Sequence, residues 1–208
     1  MKRLVIYGAG GHGKVVADIA SNTYEEIVFI DDHKAGDTCM GYAIVSSKVL
    51  LESQLDDLEF FVAIGNAAVR KNVSIMLSER GAKITTLVHP SAIIGKDVTI
   101  GKGSVIMPGA ILNAECKIGD GCIINTSASV DHECILGEYV HVAVGAHLCG
   151  GVHVGNNTWI GAGAIILRGT HVGEGCVIGA GAVVRGNIPA HSLVKAEGNR
   201  HLAITPIQ

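Results

Sequence analysis

The sequence predicts a small α/β unit with a parallel sheet, followed by a parallel β-helix of hexapeptide repeats. Two observations predict this order: short apolar runs alternate with helical patterns up to residue 87, and an aliphatic residue then recurs every six positions. The composition agrees, because 28 glycines and an aromatic content of 4% suit tightly stacked β structure better than a helical bundle.

The first unit, residues 1–87, alternates two kinds of pattern. Apolar runs predict strands at RLVIY, EIVFID, YAIV, EFFVAIG and AKITTLV, whereas KVVADIASN and AAVRKNVSIMLSERG have the spacing of amphipathic helices. Strands that alternate with helices are typical of a parallel sheet.

The second unit, residues 88–190, has a period of six. All sixteen positions taken at this spacing from Ile94 to Val184 are aliphatic, and the residue two before each is usually small. Strand alternation places both positions on the inward side, and glycine after the aliphatic is expected where the chain turns a corner. Three hexads form one coil of 18 residues, so residues 18 apart should stack roughly 4.8 Å apart. Residues 191–208 are assigned to a C-terminal tail.

The register assigns the cysteines to the core and sorts the outward residues into three faces. Four of the six cysteines occupy the small inward position, which predicts core packing: Cys116, Cys122, Cys134 and Cys176. The first face carries Val105, Ile123, His141, Trp159 and Val177; the second carries Ile111, Ser129, His147, Ile165 and Val183; the third carries Thr99, Lys117, Ile135, His153 and His171. The first two faces are too apolar to remain in water, which predicts a three-fold ring of chains.

The histidines in residues 130–153 could be metal ligands or catalytic bases. His141, His147 and His153 are six residues apart and fall on different faces, so they cannot converge on one ion within a chain. His132 differs because it lies third in its hexad, near a corner. A histidine there could act as a general base if Glu133 or Asp131 orients it, which requires the backbone to turn. A corner histidine without a role is the alternative.

A glycine loop, Gly8-Ala9-Gly10-Gly11-His12-Gly13, follows the first predicted strand and opens a helix, and Asp31 ends the next strand. This G-x-G-x-x-G pattern by itself suggests a nicotinamide dinucleotide. The unit is half the size of a full dinucleotide fold, however, so a smaller nucleotide fits better. A tight turn without a ligand stays open.

Several segments together resemble one family: IYGAGGHGKVVADIA, IDD at 30–32, AIGN at 63–66, HPSA at 89–92 and INTSASVDHECILGEYVHVAVGA at 124–146. They are similar to bacterial hexapeptide-repeat sugar acetyltransferases, which include UDP-4-amino-sugar N-acetyltransferases of bacillosamine-type pathways and sialic-acid O-acetyltransferases. The resemblance implies a homotrimer of left-handed β-helices, acetyl-CoA between neighbouring helices, and a Rossmann-like N-terminal domain that holds the sugar nucleotide.

The resemblance also implies roles for particular residues. His132 falls on the catalytic base, Glu133 on the residue that assists it, and His141, Ala162 and Ala180 on acetyl-CoA contacts. Contacts with the UDP-sugar are implied for a set in the first unit: Gly10, Gly11, His12, Asp31, Asp32 and Gly65. The chain departs from the family pattern at Ala67 and Ala68, where an acidic residue is expected, and in VKAEGNRHL, which lacks the glycine and proline of the usual VxGxPAK ending.

The resulting hypothesis is acetyl-CoA-dependent N-acetylation of the 4-amino group of a UDP-linked deoxy amino sugar. Three alternatives stay open: O-acetylation of sialic acid or a related sugar, a non-enzymatic nucleotide-binding trimer, and a metal-dependent hydratase. We expect no metal, and the net charge of −3 argues against nucleic acid as a partner. The apolar run Leu4–Tyr7 is too short for a signal-peptide core or a membrane span, so a cytoplasmic protein is expected.

Overall fold

A change of backbone pattern near residue 88 divides the chain into two units, Met1–Leu87 and Val88–Gln208. The computed structural model describes residues 2–51, 57–197 and 201–207. A two-residue strand, β7 (Leu87–Val88), crosses the boundary between the units. No helix in the described part of the chain combines the length and the apolar character that a membrane span requires.

The first unit is the α/β sheet that the alternating pattern predicts. Its elements in chain order are β1 Arg3–Tyr7, α1 Gly11–Ala20, β2 Glu26–Ile30, β3 Thr38–Cys39, β4 Tyr42–Val45, α2 Ser47–Leu51, β5 Leu58–Val62, α3 Ala67–Glu79 and β6 Lys83–Ile84. The sheet order is β3-β4-β2-β1-β5-β6, parallel except for the β3/β4 pair. Phe29, Phe60 and Phe61 are fully buried in this unit.

Helix α2 is an element that the local pattern does not predict. Its first residue, Ser47, donates its backbone N–H to Asp32 Oδ1 (2.7 Å) and its hydroxyl to Asp32 Oδ2 (2.9 Å). Because these two residues are 15 positions apart, the carboxylate that holds the helix start cannot be recognised from the helix sequence alone.

The second unit is the predicted β-helix, whose two-residue strands form three faces. The first face contains β10 Val105–Ile106, β13 Ile123–Ile124, β16 His141–Val142, β19 Trp159–Ile160 and β22 Val177–Ile178. The second face contains β8 Ile93–Ile94, β11 Ile111–Leu112, β14 Ser129–Val130, β17 His147–Leu148, β20 Ile165–Ile166 and β23 Val183–Val184. The third face contains β9 Thr99–Ile100, β12 Lys117–Ile118, β15 Ile135–Leu136, β18 His153–Val154 and β21 His171–Val172.

The predicted stacking of residues 18 apart is confirmed on every face. Ile123 pairs with His141 on the first face, and Lys117 pairs with Ile135 on the third. The repeated aliphatics are buried from Ile106 to Val184, while Ile94 in the first coil is 40% exposed. The first coil packs against a neighbouring coil on one side only, so its inward residues are partly exposed to solvent.

The four inward cysteines are fully buried in this core, as predicted: Cys116, Cys122, Cys134 and Cys176. A hydrogen bond with Cys116, together with burial, raises the pKa of the Cys134 thiol. Cys134 is therefore a protonated packing group and does not supply a nucleophile to the neighbouring His132.

The corners of the β-helix use a left-handed backbone conformation once per hexad. One position in every hexad from Asp97 to Gly181 has φ between 56° and 69°, and six of these residues are not glycine: Asp97, Glu115, Ser127, Glu133, Tyr139 and Asn157. The glycines that directly follow the aliphatics are not the left-handed residues of the corners, although the sequence pattern associates them with the turn. A Cβ at Gly119 would lie 2.6 Å from the Gly137 carbonyl carbon, so these glycines permit close approach of adjacent coils, and the left-handed turn comes two residues later.

The segment 191–208, assigned from the sequence to a tail, contributes two strands to the sheet of the first face. Strand β24 (Ser192–Glu197) pairs in parallel with β22, and β25 (His201–Pro206) pairs antiparallel with β24. Part of the atypical ending VKAEGNRHL, residues 198–200, lies outside the described residues.

Adjacent residues of β15 provide a matched test of the inward register. Leu136 is 2% exposed and Ile135 is 42% exposed. We expect Leu136→Ala to lower the free energy of unfolding by about 2–5 kcal/mol, because it leaves a cavity, and Ile135→Ala to lower it by less than about 1 kcal/mol. Urea unfolding followed by circular dichroism checks this, and equal losses in the two variants would contradict the register.

Candidate active site

His132 lies at the corner between the second and third faces, where the backbone is held by the adjacent coils. The His132 carbonyl accepts from Gly151 N–H (2.9 Å), and Glu133 N–H donates to the Ala114 carbonyl (3.0 Å). Asp131 Oδ1 accepts from the His132 backbone N–H (2.8 Å) and from Asn113 Nδ2 (2.8 Å). These bonds fix the corner on which the imidazole stands.

Glu133 contacts the His132 ring although the two residues are neighbours in sequence. Successive side chains of a strand point to opposite sides, but Glu133 has φ 58°, so the chain reverses locally and the side chains converge. His132 Nδ1 lies 3.0 Å from Glu133 Oε2. In the neutral ring, a proton on Nδ1 forms a hydrogen bond to this carboxylate. Nε2 is then unprotonated and can accept a proton from a substrate.

Asp131, the other carboxylate considered as an orienting group, has a different task. The backbone hydrogen bond from His132 and the side-chain hydrogen bond from Asn113 lower the pKa of Asp131. Its carboxylate therefore stabilises the corner as an ionised hydrogen-bond acceptor, and Glu133 is the carboxylate on the imidazole.

Of the residues implied for acetyl-CoA contact, two lie on another corner of the same chain and one lies on the first face beside that corner. His141 is in β16, and Ala162 and Ala180 are exposed corner residues 18 apart, between the first and second faces. His141 Nε2 lies 3.1 Å from Asn125 Nδ2, and its ring lies 6.4 Å from that of Trp159. Within one chain, this group and His132 are on different corners, so they form one site only if neighbouring chains bring them together.

The remaining histidines of the repeat do not join His132. His147 Nδ1 lies 2.8 Å from Ser129 Oγ on the second face, and His153 Nδ1 lies 2.7 Å from His171 Nε2 on the third. Among the described residues, no group of three or more His, Cys, Asp or Glu side chains could hold a metal ion.

In the first unit, packing explains why some positions of the loop are glycine but does not explain the others. A Cβ at Gly8 would lie 2.8 Å from the Ala63 carbonyl, and a Cβ at Gly13 would overlap the Gly8 carbonyl, so the packing of the loop requires both. Gly10 and Gly11 are exposed, and a Cβ on either would meet nothing within 4 Å. The surrounding fold does not require glycine at these two positions, which leaves room for a ligand at the start of α1.

The two aspartates implied at the nucleotide end also organise the loops. Asp31 Oδ2 accepts from Ala9 N–H (3.2 Å), which links the glycine loop to the end of β2. Asp32 accepts both Ser47 hydrogen bonds at the start of α2, and these bonds lower the pKa of Asp32. Lys34 Nζ donates to the Ala9 carbonyl (2.8 Å).

His12, which is partly buried, lies near the fully buried Arg70. The His12 Nε2 atom is inaccessible to solvent and has no hydrogen-bond partner among the described residues. Burial and the nearby Arg70 charge lower the pKa of His12 to about 4, so the ring is neutral near pH 7. Most buried polar atoms in proteins have a hydrogen-bond partner, and a water or a ligand group beside Nε2 would supply one here.

Arg70 is a residue that the sequence reasoning missed as part of the site. Its side chain is 1% exposed, and Nη1 donates to the carbonyls of Ile64 and Gly65 (2.8 Å each). Asn66 Oδ1 accepts from Val69 N–H (3.0 Å) and caps helix α3. The AIGN segment is therefore held from both sides, with Gly65 exposed. An arginine on a helix that otherwise has amphipathic spacing gives no local sign of burial.

Lysines border a cleft of about 410 Å³ next to the same loop. Ala9, Lys14 and Lys34 are among its lining residues. Asp37 lines it as well, so the cleft beside Ala9 presents two cations and one carboxylate.

Family comparisons agree with both units. Residues 3–77 match the model described as PglD N-terminal domain, 91–126 match a hexapeptide repeat of succinyl-transferase, and 151–186 match a bacterial transferase hexapeptide of six repeats. The acetyltransferase domain of PglB from Neisseria gonorrhoeae FA1090 is 37% identical, each chain is covered to 100%, and the TM-score is 0.92. The chain belongs to the bacterial hexapeptide-repeat sugar acetyltransferases. The predicted fold, a Rossmann-like domain followed by a left-handed β-helix, is the fold of this family.

Other relatives in this family show which ligands related chains bind. PerB from Caulobacter crescentus, solved in complex with CoA and GDP-perosamine, is 32% identical, with 99% of this chain and 98% of that chain covered and a TM-score of 0.91. A UDP-N-acetylbacillosamine N-acetyltransferase of Bacillus subtilis (strain 168) is 36% identical over 112 residues, which are 51% of this chain and 52% of that protein. The chain thus spans about half the length of the curated relatives it matches.

The lowered pKa of His12 predicts a pH dependence of stability. The unfolded chain binds a proton at His12 as the pH falls below about 6.5, whereas the folded chain does so only near pH 4, so acid favours unfolding in this range. Between about pH 7 and about pH 4.5 we expect this group to remove about 2–3 kcal/mol of the free energy of unfolding.

His12→Asn should abolish that contribution, and His33→Asn, at an exposed histidine of the same unit, should keep it. Urea unfolding of the three proteins at both pH values measures the difference. An identical pH dependence in wild type and His12→Asn would show that His12 is not held neutral by the fold.

Proposed function

We propose that the chain transfers the acetyl group of acetyl-CoA to the 4-amino group of a UDP-linked deoxy amino sugar. The observation that carries this proposal is the imidazole of His132, oriented by Glu133 at 3.0 Å on an exposed corner of an acetyltransferase β-helix. Family relatives solved with acetyl coenzyme A and with CoA and GDP-perosamine support the choice of donor and of acceptor class.

In the proposed reaction His132 acts as the general base. Nε2 accepts a proton from the neutral sugar amine as the amine nitrogen attacks the thioester carbonyl, and Glu133 stabilises the imidazolium through Nδ1. The C–N bond forms, the C–S bond breaks, and the proton held by His132 passes to the CoA thiolate. Backbone N–H groups or His141 would stabilise the oxyanion, and no acyl-enzyme is needed, because both substrates are held together.

The first unit would hold the sugar nucleotide. Its open loop at Gly10 and Gly11, the unpartnered nitrogen of His12 and the lysine-lined cleft suit a nucleoside diphosphate. Uridine is preferred over guanosine as the base because the N-acetylbacillosamine relative is 36% identical and the curated GDP-perosamine relative is 31% identical.

The decisive variant is His132→Ala. Loss of a general base lowers kcat by about 10²- to 10⁴-fold, and we expect a fall in this range with little change in the KM for acetyl-CoA. Glu133→Gln keeps an acceptor near Nδ1 but removes the charge, so its loss should be smaller. A thiol-release assay with a UDP-linked 4-amino sugar measures both, and near-normal turnover in His132→Ala would refute the assignment.

The acceptor is tested in the same assay. UDP- and GDP-linked 4-amino sugars are compared with CMP-sialic acid and free sialic acid, and we expect the UDP-linked amine to have the highest kcat/KM. Preferred turnover of the GDP-linked sugar would correct the base, and turnover of sialic acid alone would replace the proposal by O-acetylation. Thermal stabilisation by UDP without any by CoA would favour a non-enzymatic nucleotide-binding protein.

The site would be completed in a homotrimer, which the apolar outer surfaces support. Trp159 on the first face is 44% exposed, and Val144, on the corner between the first and second faces, is 51% exposed. Large apolar side chains in these places are expected to be covered by another copy of the chain. That arrangement would bring the acetyl-CoA residues of one chain toward His132 of its neighbour.

We expect sedimentation to give three times the chain mass of 21.5 kDa. Trp159→Glu places a charge in the proposed interface and should shift the protein toward monomer, whereas Ile135→Glu, on the third face at 42% exposure, should remain trimeric. A monomeric wild type, or dissociation of the Ile135→Glu control only, would contradict the interface.

A further inference from the structure

His132 lies against the backbone of the next coil at a position without a side chain. Gly150 follows His132 by 18 residues, and a Cβ built on it would lie 2.5 Å from His132 Nε2 and 2.5 Å from Cε1. Both distances are well inside van der Waals contact, so the ring occupies the volume that a side chain at position 150 would fill.

The backbone does not require glycine at position 150. Its φ is not in the left-handed region, which is taken by the next residue, Gly151 (φ 68°). Among the other residues at intervals of 18 from Gly150, four carry side chains and Gly186 does not; the four are Lys96, Ala114, His132 and Arg168. Of the two glycines in this series, Gly150 is the one whose added Cβ would meet the His132 ring, and a Cβ at Gly186 would meet nothing within 4 Å.

The ring cannot keep its place if position 150 gains a methyl group. The Gly150 backbone is fixed by its coil, while the His132 side chain is 46% exposed and can rotate toward solvent. Rotation would separate Nδ1 from Glu133 Oε2, now 3.0 Å apart, and would move Nε2 away from the reacting amine. The cost in stability should be small, because the atoms that must move are the end of a half-exposed side chain.

We propose that Gly150 is a positioning residue for catalysis, because its missing Cβ allows the next coil's backbone to support the His132 imidazole in its reactive orientation. This inference rests on the proposed role of His132 as the base. Gly150 acts through the histidine ring, so its effect should vanish when the ring is absent.

The test is Gly150→Ala, with Gly186→Ala as a matched control. Gly186 follows Gly150 by 36 residues, at the last corner after the second face, and a Cβ there meets nothing within 4 Å. A displacement of reacting groups by about 1 Å can cost about 10²-fold, so we expect Gly150→Ala to lower kcat by about 10²-fold. The KM for acetyl-CoA and the Tm should stay near wild type, and Gly186→Ala should keep wild-type kcat.

A double-mutant cycle separates positioning from a general structural effect. In the His132→Ala background, Gly150→Ala should cause no further loss of kcat, because there is no ring to displace. A loss of equal size in that background, or unchanged kcat in the single variant, would overturn the proposal.

A readout without turnover keeps the two hypotheses distinguishable. In a crystal structure of Gly150→Ala, the Nδ1–Oε2 hydrogen bond should be broken and the ring rotated outward. An unmoved ring would overturn the inference about Gly150. If the ring moves as expected but His132→Ala has normal turnover, the role of His132 as the base is refuted. The steric contact between position 150 and the His132 ring would still be confirmed.

Discussion

The second unit depends on one constraint, the register of the backbone ladder between coils. Ile123 N–H donates to the Val140 carbonyl, Ile135 to Val152 and His147 to Ala164, so each of these N–H groups bonds to a carbonyl of the next coil, 17 residues further on. Because this offset recurs on all three faces, one inserted residue would move every inward side chain outward beyond that point. The same ladder decides which polar residues stack on the outside, and so which histidines can meet.

The candidate catalytic pair arises from a feature that the corners from Asp97 to Gly181 share. One residue per hexad adopts φ between 56° and 69°, and at most corners this residue is glycine or a small polar residue. At Glu133 the same conformation turns a long acidic side chain back on its neighbour His132. Non-glycine residues in the left-handed region cost free energy, and at this corner hydrogen bonds from both adjacent coils hold the conformation.

The candidate site of the first unit combines a buried arginine, Arg70, with the exposed backbone of Gly10 and Gly11. Arg70 holds the carbonyls of the AIGN segment and, with burial, keeps His12 neutral. Asp31 and Asp32, for which the family resemblance implies ligand contacts, are also the acceptors that fix the glycine loop and the start of α2. A substitution at Asp32 would therefore disturb the start of α2 as well as any contact with the proposed nucleotide.

The sequence by itself determined the division into two units, the coil of 18 residues, the burial of the cysteines and the separation of His132 from the other histidines. Each of these follows from periodicity, because the hydrogen bonds between successive coils of a repeat allow little variation in register. Tertiary structure alone decided the contact of Glu133 with His132, the neutral state of His12 beside Arg70, and the closeness of Gly150 to the imidazole. These three depend on side-chain direction and on atoms brought together across coils or helices, which the spacing of residue types along a chain does not encode.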